Sequence, residues 1–151
     1  MGTKFLFSFL ALVLFTATTL PAGTATPCEQ ICGRWQAIEN NLIVQVSRED
    51  SKFKAKIVWF EDGDSKKMAD WTDVNNPDPA LRTRKILGMS VLRDLTYNNE
   101  TKEWEDGMIY DAKHGRDWNA SAYIDKSGLL QVKGFWHFKF IGKTLTFKRV
   151  S

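Results

Sequence analysis

The chain has 151 residues, of which 43% are hydrophobic, 26% charged and 13% aromatic, with six tryptophans, two cysteines and a formal net charge of +3. A disordered chain would be poorer in apolar residues, a disulfide scaffold richer in cysteine, and a polytopic membrane protein would carry several apolar runs of about 20 residues. What remains is one globular domain, whose small basic excess is too dispersed for a nucleic-acid surface, where Lys and Arg gather on one face.

Residues 1–25 stand apart from that domain. Lys4 precedes an apolar run of 11 residues from Phe5 to Phe15, and small residues follow, ending Ala22-Gly23-Thr24-Ala25. The run is too short for a bilayer span of about 20 residues and has no basic stop-transfer flank. It predicts a secretory signal peptide cleaved after Ala25, and hence a protein exported to the periplasm or cell envelope, or secreted, with no transmembrane span in the mature protein. Cleavage leaves 126 residues, 26–151, with 20 Lys and Arg against 18 Asp and Glu. The mature domain is nearly charge-balanced.

Cys28 and Cys32 lie just after the expected cleavage point. Export permits a local disulfide, and free thiols or a lipidated Cys28 are the alternatives, the last disfavoured by Pro27 in front of it. Two thiols supply only half of a tetrahedral metal shell, and His114 and His137 are distant in sequence, so no metal is expected.

From Gly33 onward apolar residues recur with period 2, the signature of half-buried antiparallel strands. Phe53, Ala55, Ile57 and Trp59 alternate with Lys52, Lys54, Lys56 and Val58; Trp118, Ala120, Ala122 and Ile124 alternate with polar neighbours; Leu130, Val132, Gly134, Trp136 and Phe138 form a third set. Polar turns separate them, and about eight strands are predicted: 33–38, 42–47, 52–60, 88–97, 103–111, 116–124, 129–140 and 144–150. Short connections make a meander, and an eight-stranded meander closes most simply into an up-and-down barrel without exposed edges. The fold expected is therefore all-β, a single antiparallel barrel with one long loop.

That loop runs from Glu61 to Lys85. Its carboxylates, including Asp62, Asp64, Asp70, Asp73 and Asp78, lack the regular spacing of a calcium loop. Asp78 before Pro79 is placed to cap a short helical turn. A loop of this length on a barrel is a candidate lid.

Ordered along the chain are Gly33-Arg34-Trp35, Asn76-Pro77-Asp78-Pro79-Ala80-Leu81-Arg82, Ile86-Leu87-Gly88-Met89, Trp104-Glu105-Asp106-Gly107-Met108-Ile109-Tyr110-Asp111, Leu130-Gln131-Val132-Lys133-Gly134-Phe135 and Phe147-Lys148-Arg149-Val150. Together they resemble the exported bacterial family called domain of unknown function 2147 (DUF2147), over essentially all of the mature chain. The resemblance implies a small lipocalin-like, calycin-type barrel with no established activity. The family often carries a cysteine pair in the long loop, which is missing here, so a redox or metal role for loop cysteines has nothing to carry it. Gly33-x-Trp35 is also how lipocalins open their first strand, and by that analogy Trp35 stacks on Arg149 from the last strand and closes one end of the barrel.

An eight-stranded barrel is either filled by its own side chains or holds one small ligand. Ala55, Ile57, Trp59, Trp118, Ala120, Ala122, Trp136 and Phe138 are the inward candidates for a small apolar or amphipathic ligand such as a lipid or fatty acid. The alternative is a filled barrel presenting exposed Trp71 and the long loop to a protein partner. Catalysis is not expected: His114, in a turn near Asp111 and Asp117, has no nucleophile motif beside it, and no cofactor motif occurs.

Overall fold

A computed structural model describes residues 26–139 and 142–150. The expected signal peptide lies outside the described residues, and among those described no helix is long and apolar enough to cross a membrane. Eight strands form one closed antiparallel barrel in sequence order: β1 (Gly33–Ala37), β2 (Leu42–Glu49), β3 (Lys52–Phe60), β4 (Ser90–Asn98), β5 (Glu103–Asp111), β6 (Arg116–Ile124), β7 (Leu130–Phe135) and β8 (Gly142–Arg149), with β8 returning to pair with β1. Three short 3-10 helices accompany them, η1 (Pro27–Ile31) before β1, and η2 (Met68–Asp70) and η3 (Pro79–Leu81) in the long β3–β4 loop.

The core is the inward row of each strand, including Trp35, Val44, Val46, Phe53, Ala55, Ile57, Leu92, Leu95, Trp104, Ala120, Ala122, Leu130, Val132 and Phe147. Alternation delivers these residues to one face, as period 2 requires. Among the described strands it is interrupted at four register shifts, one between Ala55↔Leu92 and Lys56↔Ser90 and three at bulges where two residues face one on the neighbouring strand. The β2–β3 register steps from Val44↔Ile57 to Ile43↔Trp59, leaving Val58 without a counterpart. Asp94 and Asp106 occupy left-handed backbone at φ 64° and 58°, where the registers of β4 and β5 also shift. After each bulge the inward side chain comes three residues on rather than two: Ile57 to Phe60, Leu92 to Leu95, Trp104 to Gly107.

One consequence corrects an inward assignment. Trp59 pairs with Ile43 on the outer face, and Phe60, paired with Leu42, packs against the core in its place. A second correction concerns β7, expected to run to Phe140, which ends at Phe135. Phe135 pairs with Gly142, so the turn lies between them, and Gly142, expected in the turn, begins β8. Trp136 and Phe138 therefore leave the strand before they can point inward, and are 57% and 59% exposed. At the other ends the differences are small. The β2–β3 hairpin turns at Asp50-Ser51, with Glu49 paired to Lys52, and Gly88 belongs to the turn before β4, at φ 83°.

Candidate functional site

The two ends of the barrel are built differently. At the end holding the start of β1, η1 lies across the opening as a plug, with Ile31 fully buried. Barrel side chains hold its carbonyls. Trp35 Nε1 donates to Ile31 O at 2.8 Å, Trp104 Nε1 to Cys28 O at 3.0 Å, and Arg149 Nη1 to Cys32 O at 2.8 Å, while Arg149 Nη2 reaches Gln30 O. Arg149 also lies over the Trp35 ring, with Cζ 4.2 Å from its centroid. Gly33, at φ 128°, starts the strand that carries Trp35.

Cys28 and Cys32 are not bonded to each other in the structure, and both are half-buried against the core. Cys28 Sγ sits 3.2 Å from Thr26 Oγ1. Burial, and then the nearby Glu29 carboxylate, push the Cys32 thiol up from its ordinary range. A concavity of about 360 Å³ opens beside the plug, lined by Glu29, Gln30, Cys32, Trp35, Ile124 and Arg149 among others. It lies at the plugged end, where Trp35 and Ile124 meet the core.

Inside, the half next to the plug is packed. Trp104 meets Phe53 edge to face at 6.3 Å and Tyr97 at 5.0 Å between centroids. Ala55, Ala120 and Ala122, each 1–2% exposed, stand among these large rings rather than around a void. Gly107 makes the same point, since a Cβ there would lie 2.6 Å from Leu95 Cδ2. The small positions accommodate bulky neighbours, as dense interiors require.

The opposite, wide end is half wet. Phe60, Ile86, Ile109 and Leu145 are partly buried against the core. Trp118 sits on an inward row beside Ile109, its ring edge to face with Trp136 at 5.9 Å and under the Arg116 guanidinium at 5.1 Å. Register also puts Lys143 on the inward row, opposite Gly134. Arg116 and Lys143 thus bring two cations to the rim above an apolar lining.

The long loop is tied down beside this end. Asp73 is completely buried and accepts three hydrogen bonds, from Asn76 Nδ2 at 2.7 Å, Arg84 Nη2 at 2.7 Å and Tyr110 OH at 2.8 Å. Burial opposes its ionisation, but the bonds from Asn76, Arg84 and Tyr110 outweigh burial and hold the carboxyl below its usual range. Tyr110 is pushed up to about 12, by burial first and then by the Asp73 carboxylate. Asn75 Nδ2 donates to Lys113 O at 3.0 Å, and the loop edge closes with Thr72 bridged to Lys85. Asp78 caps η3 by accepting from Ala80 N at 3.0 Å.

Trp71 is half-buried, edge to face with Phe60 at 6.5 Å and beneath Lys66, rather than presented to a partner as the sequence suggested. The Asp73, Asn76, Arg84 and Tyr110 cluster is the part of this end that sequence reasoning missed. Its members span two elements; Asn76 and Tyr110 stand in the ordered motifs and Asp73 in the carboxylate-rich loop, but nothing in the sequence brings them together. His114 Nδ1 lies 2.7 Å from Asp111 Oδ2, while Asp117 turns instead to Arg93 at 2.9 Å. Among the described residues no three His, Cys, Asp or Glu side chains are placed to hold a metal ion.

A closed eight-stranded meander with a 3-10 plug and an arginine stacked on the first-strand tryptophan is a lipocalin-like barrel. A solved structure agrees: the protein HP1028 from the human pathogen Helicobacter pylori, described as belonging to the lipocalin family, superposes with a TM-score of 0.67 at 25% identity, covering 80% of this chain and 83% of that one. The chain belongs to the family DUF2147, described as an uncharacterised protein conserved in bacteria, whose model matches residues 33–149. No curated protein matches the sequence.

Proposed function

We propose that the protein is an exported, non-catalytic binder of one small amphipathic molecule, fatty-acid-like in chemistry, seated at the wide end of the barrel. The observation that carries this reading is the division of the interior. The plugged half holds Trp104, Phe53 and Leu95, each at most 2% exposed, with Tyr97 and Ile124 partly covered at its edge, whereas the wide half keeps Phe60, Ile86, Ile109, Leu145 and Trp118 partly covered above Leu92 and Ile57. Partly buried apolar groups converging at a barrel mouth with a few polar groups are the usual composition of a small-ligand site. An acyl chain would lie against Ile109 and Trp118, and Arg116 and Lys143 would face its carboxylate. Relative to the sequence expectation, Trp118 and Ile57 stay on the inward face, Trp59, Trp136 and Phe138 leave the proposed site, and the three alanines belong to the packed half.

The lipocalin description of the Helicobacter protein supports a ligand-binding role of this coarse kind. Export rests on the pattern of residues 1–25. The protein-partner alternative loses its anchor, because Trp71 is half-buried against Phe60.

Titration with a dansylated fatty acid tests the proposal. The mature protein should enhance probe emission, Trp118→Ala should weaken binding by about tenfold, and a free fatty acid should compete. No enhancement, together with no bound lipid in native mass spectra of protein purified from its envelope, would rule the reading out.

A further inference from the structure

The plug carries both cysteines of the chain, four positions apart, with Cys28 inside η1 and Cys32 at its C-cap. Each is partly buried against the barrel core, and Arg48 of β2 stands at both sulfurs. Its Nη1 lies 4.0 Å from Cys28 Sγ, and its backbone N–H donates to the Cys32 sulfur. Two side chains of one short helix are thus turned to the same residue of the barrel wall. Cys32 also lines the concavity of about 360 Å³ beside the plug, which gives a small molecule room to reach its sulfur.

The spacing of the pair decides what a bond between them does to the plug. Four steps along a 3-10 helix advance about 8 Å, whereas a disulfide needs Cα atoms within about 7 Å of each other. The same four steps along an α-helix advance about 6 Å. Closing the bond therefore requires the 3-10 turn to shorten into an α turn.

That change acts on the contacts that seat the plug. Cys32 N–H donates to Glu29 O at 2.9 Å, and in an α turn its acceptor becomes Cys28 O. This is the carbonyl that Trp104 Nε1 holds at 3.0 Å, while Cys32 O, on the residue that must draw in, is held by Arg149 Nη1 at 2.8 Å. Between them lies Ile31 O, the acceptor of Trp35 Nε1 at 2.8 Å. The anchors of the plug sit on the two cysteines and on the turn that joins them.

We propose that Cys28 and Cys32 are a reversible disulfide site, oxidised by exchange with small disulfides of the glutathione type, and that the bond loosens the plug from the barrel. One cysteine, as thiolate, attacks the small disulfide and expels one thiolate from it; the other then attacks the protein sulfur of the mixed disulfide and expels the second. Two protein thiols are oxidised to one disulfide, one small disulfide is reduced to two thiols, and the two protein thiol protons pass to the expelled thiolates. The exchange does not depend on a ligand at the wide end. Only the oxidising surroundings in the cell rest on the export proposed above.

Equilibration of the mature protein with graded mixtures of reduced and oxidised glutathione tests this, read by mass spectrometry after thiol alkylation and by exchange of the Trp35 and Trp104 indole hydrogens. Wild type should pass from two alkylated thiols to an internal disulfide as the oxidised share rises, and return as it falls. In the oxidised form both indole hydrogens should exchange at least about tenfold faster, and dithiothreitol should restore the slow rate. The Cys28→Ser/Cys32→Ser variant should keep the slow rate in every mixture. Wild type that forms no internal disulfide in oxidised glutathione overturns the proposal, as does a disulfide that persists in the fully reduced mixture, or one that forms and leaves both indole rates unchanged. Oxidation and its reversal are both read on wild type, so these outcomes stand even where the double variant does not fold.

Discussion

Arg149 and Trp35 face each other as Cα partners across the seam where β8 closes onto β1, and the guanidinium lies 4.2 Å above the indole while bonding two carbonyls of the plug. The pair therefore fastens three things together, the first strand, the last strand and η1. Trp35→Ala should destabilise by about 3–5 kcal/mol because a fully buried ring is lost. Arg149→Leu should cost about 1–3 kcal/mol from the stacking and the two released carbonyls. If the pair acts as a unit, urea unfolding of the double variant will show a coupling of about 0.5–2 kcal/mol; strictly additive losses would mean that Trp35 is ordinary core.

The Asp73 and Tyr110 bond sets limits on stability at both ends of the pH scale. The folded Asp73 carboxyl titrates below its usual value, so its contribution is present above an unfolded pKa of about 3.9 and is lost as pH falls through the folded value. Tyr110 has the opposite sign. Its pKa is raised to about 12 in the folded protein, so its contribution is complete below an unfolded value of about 10 and is lost between there and about 12. Tyr110→Phe should cost about 1–3 kcal/mol at neutral pH, by leaving Asp73 one donor short, and should flatten the alkaline decline relative to wild type. Parallel alkaline curves for the two proteins would show that Tyr110 does not carry that limb.

Much of this architecture is legible in the sequence because period 2 is a direct imprint of one buried sheet face. The polar turns and the Gly33-x-Trp35 opening add the order and the closed end. Bulges are what the pattern hides. Val58, Asp94 and Asp106 each insert one residue, and nothing in the alternation Ile57, Trp59 announces that Phe60 will turn inward instead. The end of β7 is hidden for a related reason: Gly134, Trp136 and Phe138 keep the alternation of a strand after the backbone has left it. The wide-end cluster is invisible for another, since Asp73 and Tyr110 are 37 residues apart and meet only once the barrel has closed.

Gly115 is where the long loop meets the β5–β6 turn. Its φ is 63°, and a Cβ there would fall 1.8 Å from Asn75 O, a backbone atom that cannot step aside without moving the loop. Gly115→Ala should destabilise by about 2 kcal/mol or more and speed tryptic cleavage within the loop, where Lys66, Lys67 and Arg82 are exposed. Gly128→Ala is the control. It shares the left-handed backbone at φ 78° but meets nothing within 4 Å, so it should cost only about 1–2 kcal/mol and leave loop cleavage unchanged. Equal cleavage rates for the two variants would mean that the loop is not anchored through Gly115.

Gly107 and Leu95 test which half of the barrel is free to hold a ligand. Leu95 is fully buried and its Cδ2 occupies the space a Gly107 side chain would need, at 2.6 Å, with Arg93 O only 3.1 Å away on the other side. Gly107→Ala should therefore destabilise by about 1–3 kcal/mol through overpacking, and Leu95→Ala by about 2–5 kcal/mol through the space it leaves. The double variant should lose less than the sum, because the alanine methyl at 107 partly refills the gap. With the ligand at the wide end, folded Gly107→Ala should bind the dansylated fatty acid as wild type does, while Trp118→Ala does not. If Gly107→Ala abolishes probe binding and Trp118→Ala leaves it intact, the ligand enters the packed half and the division of the interior is wrong.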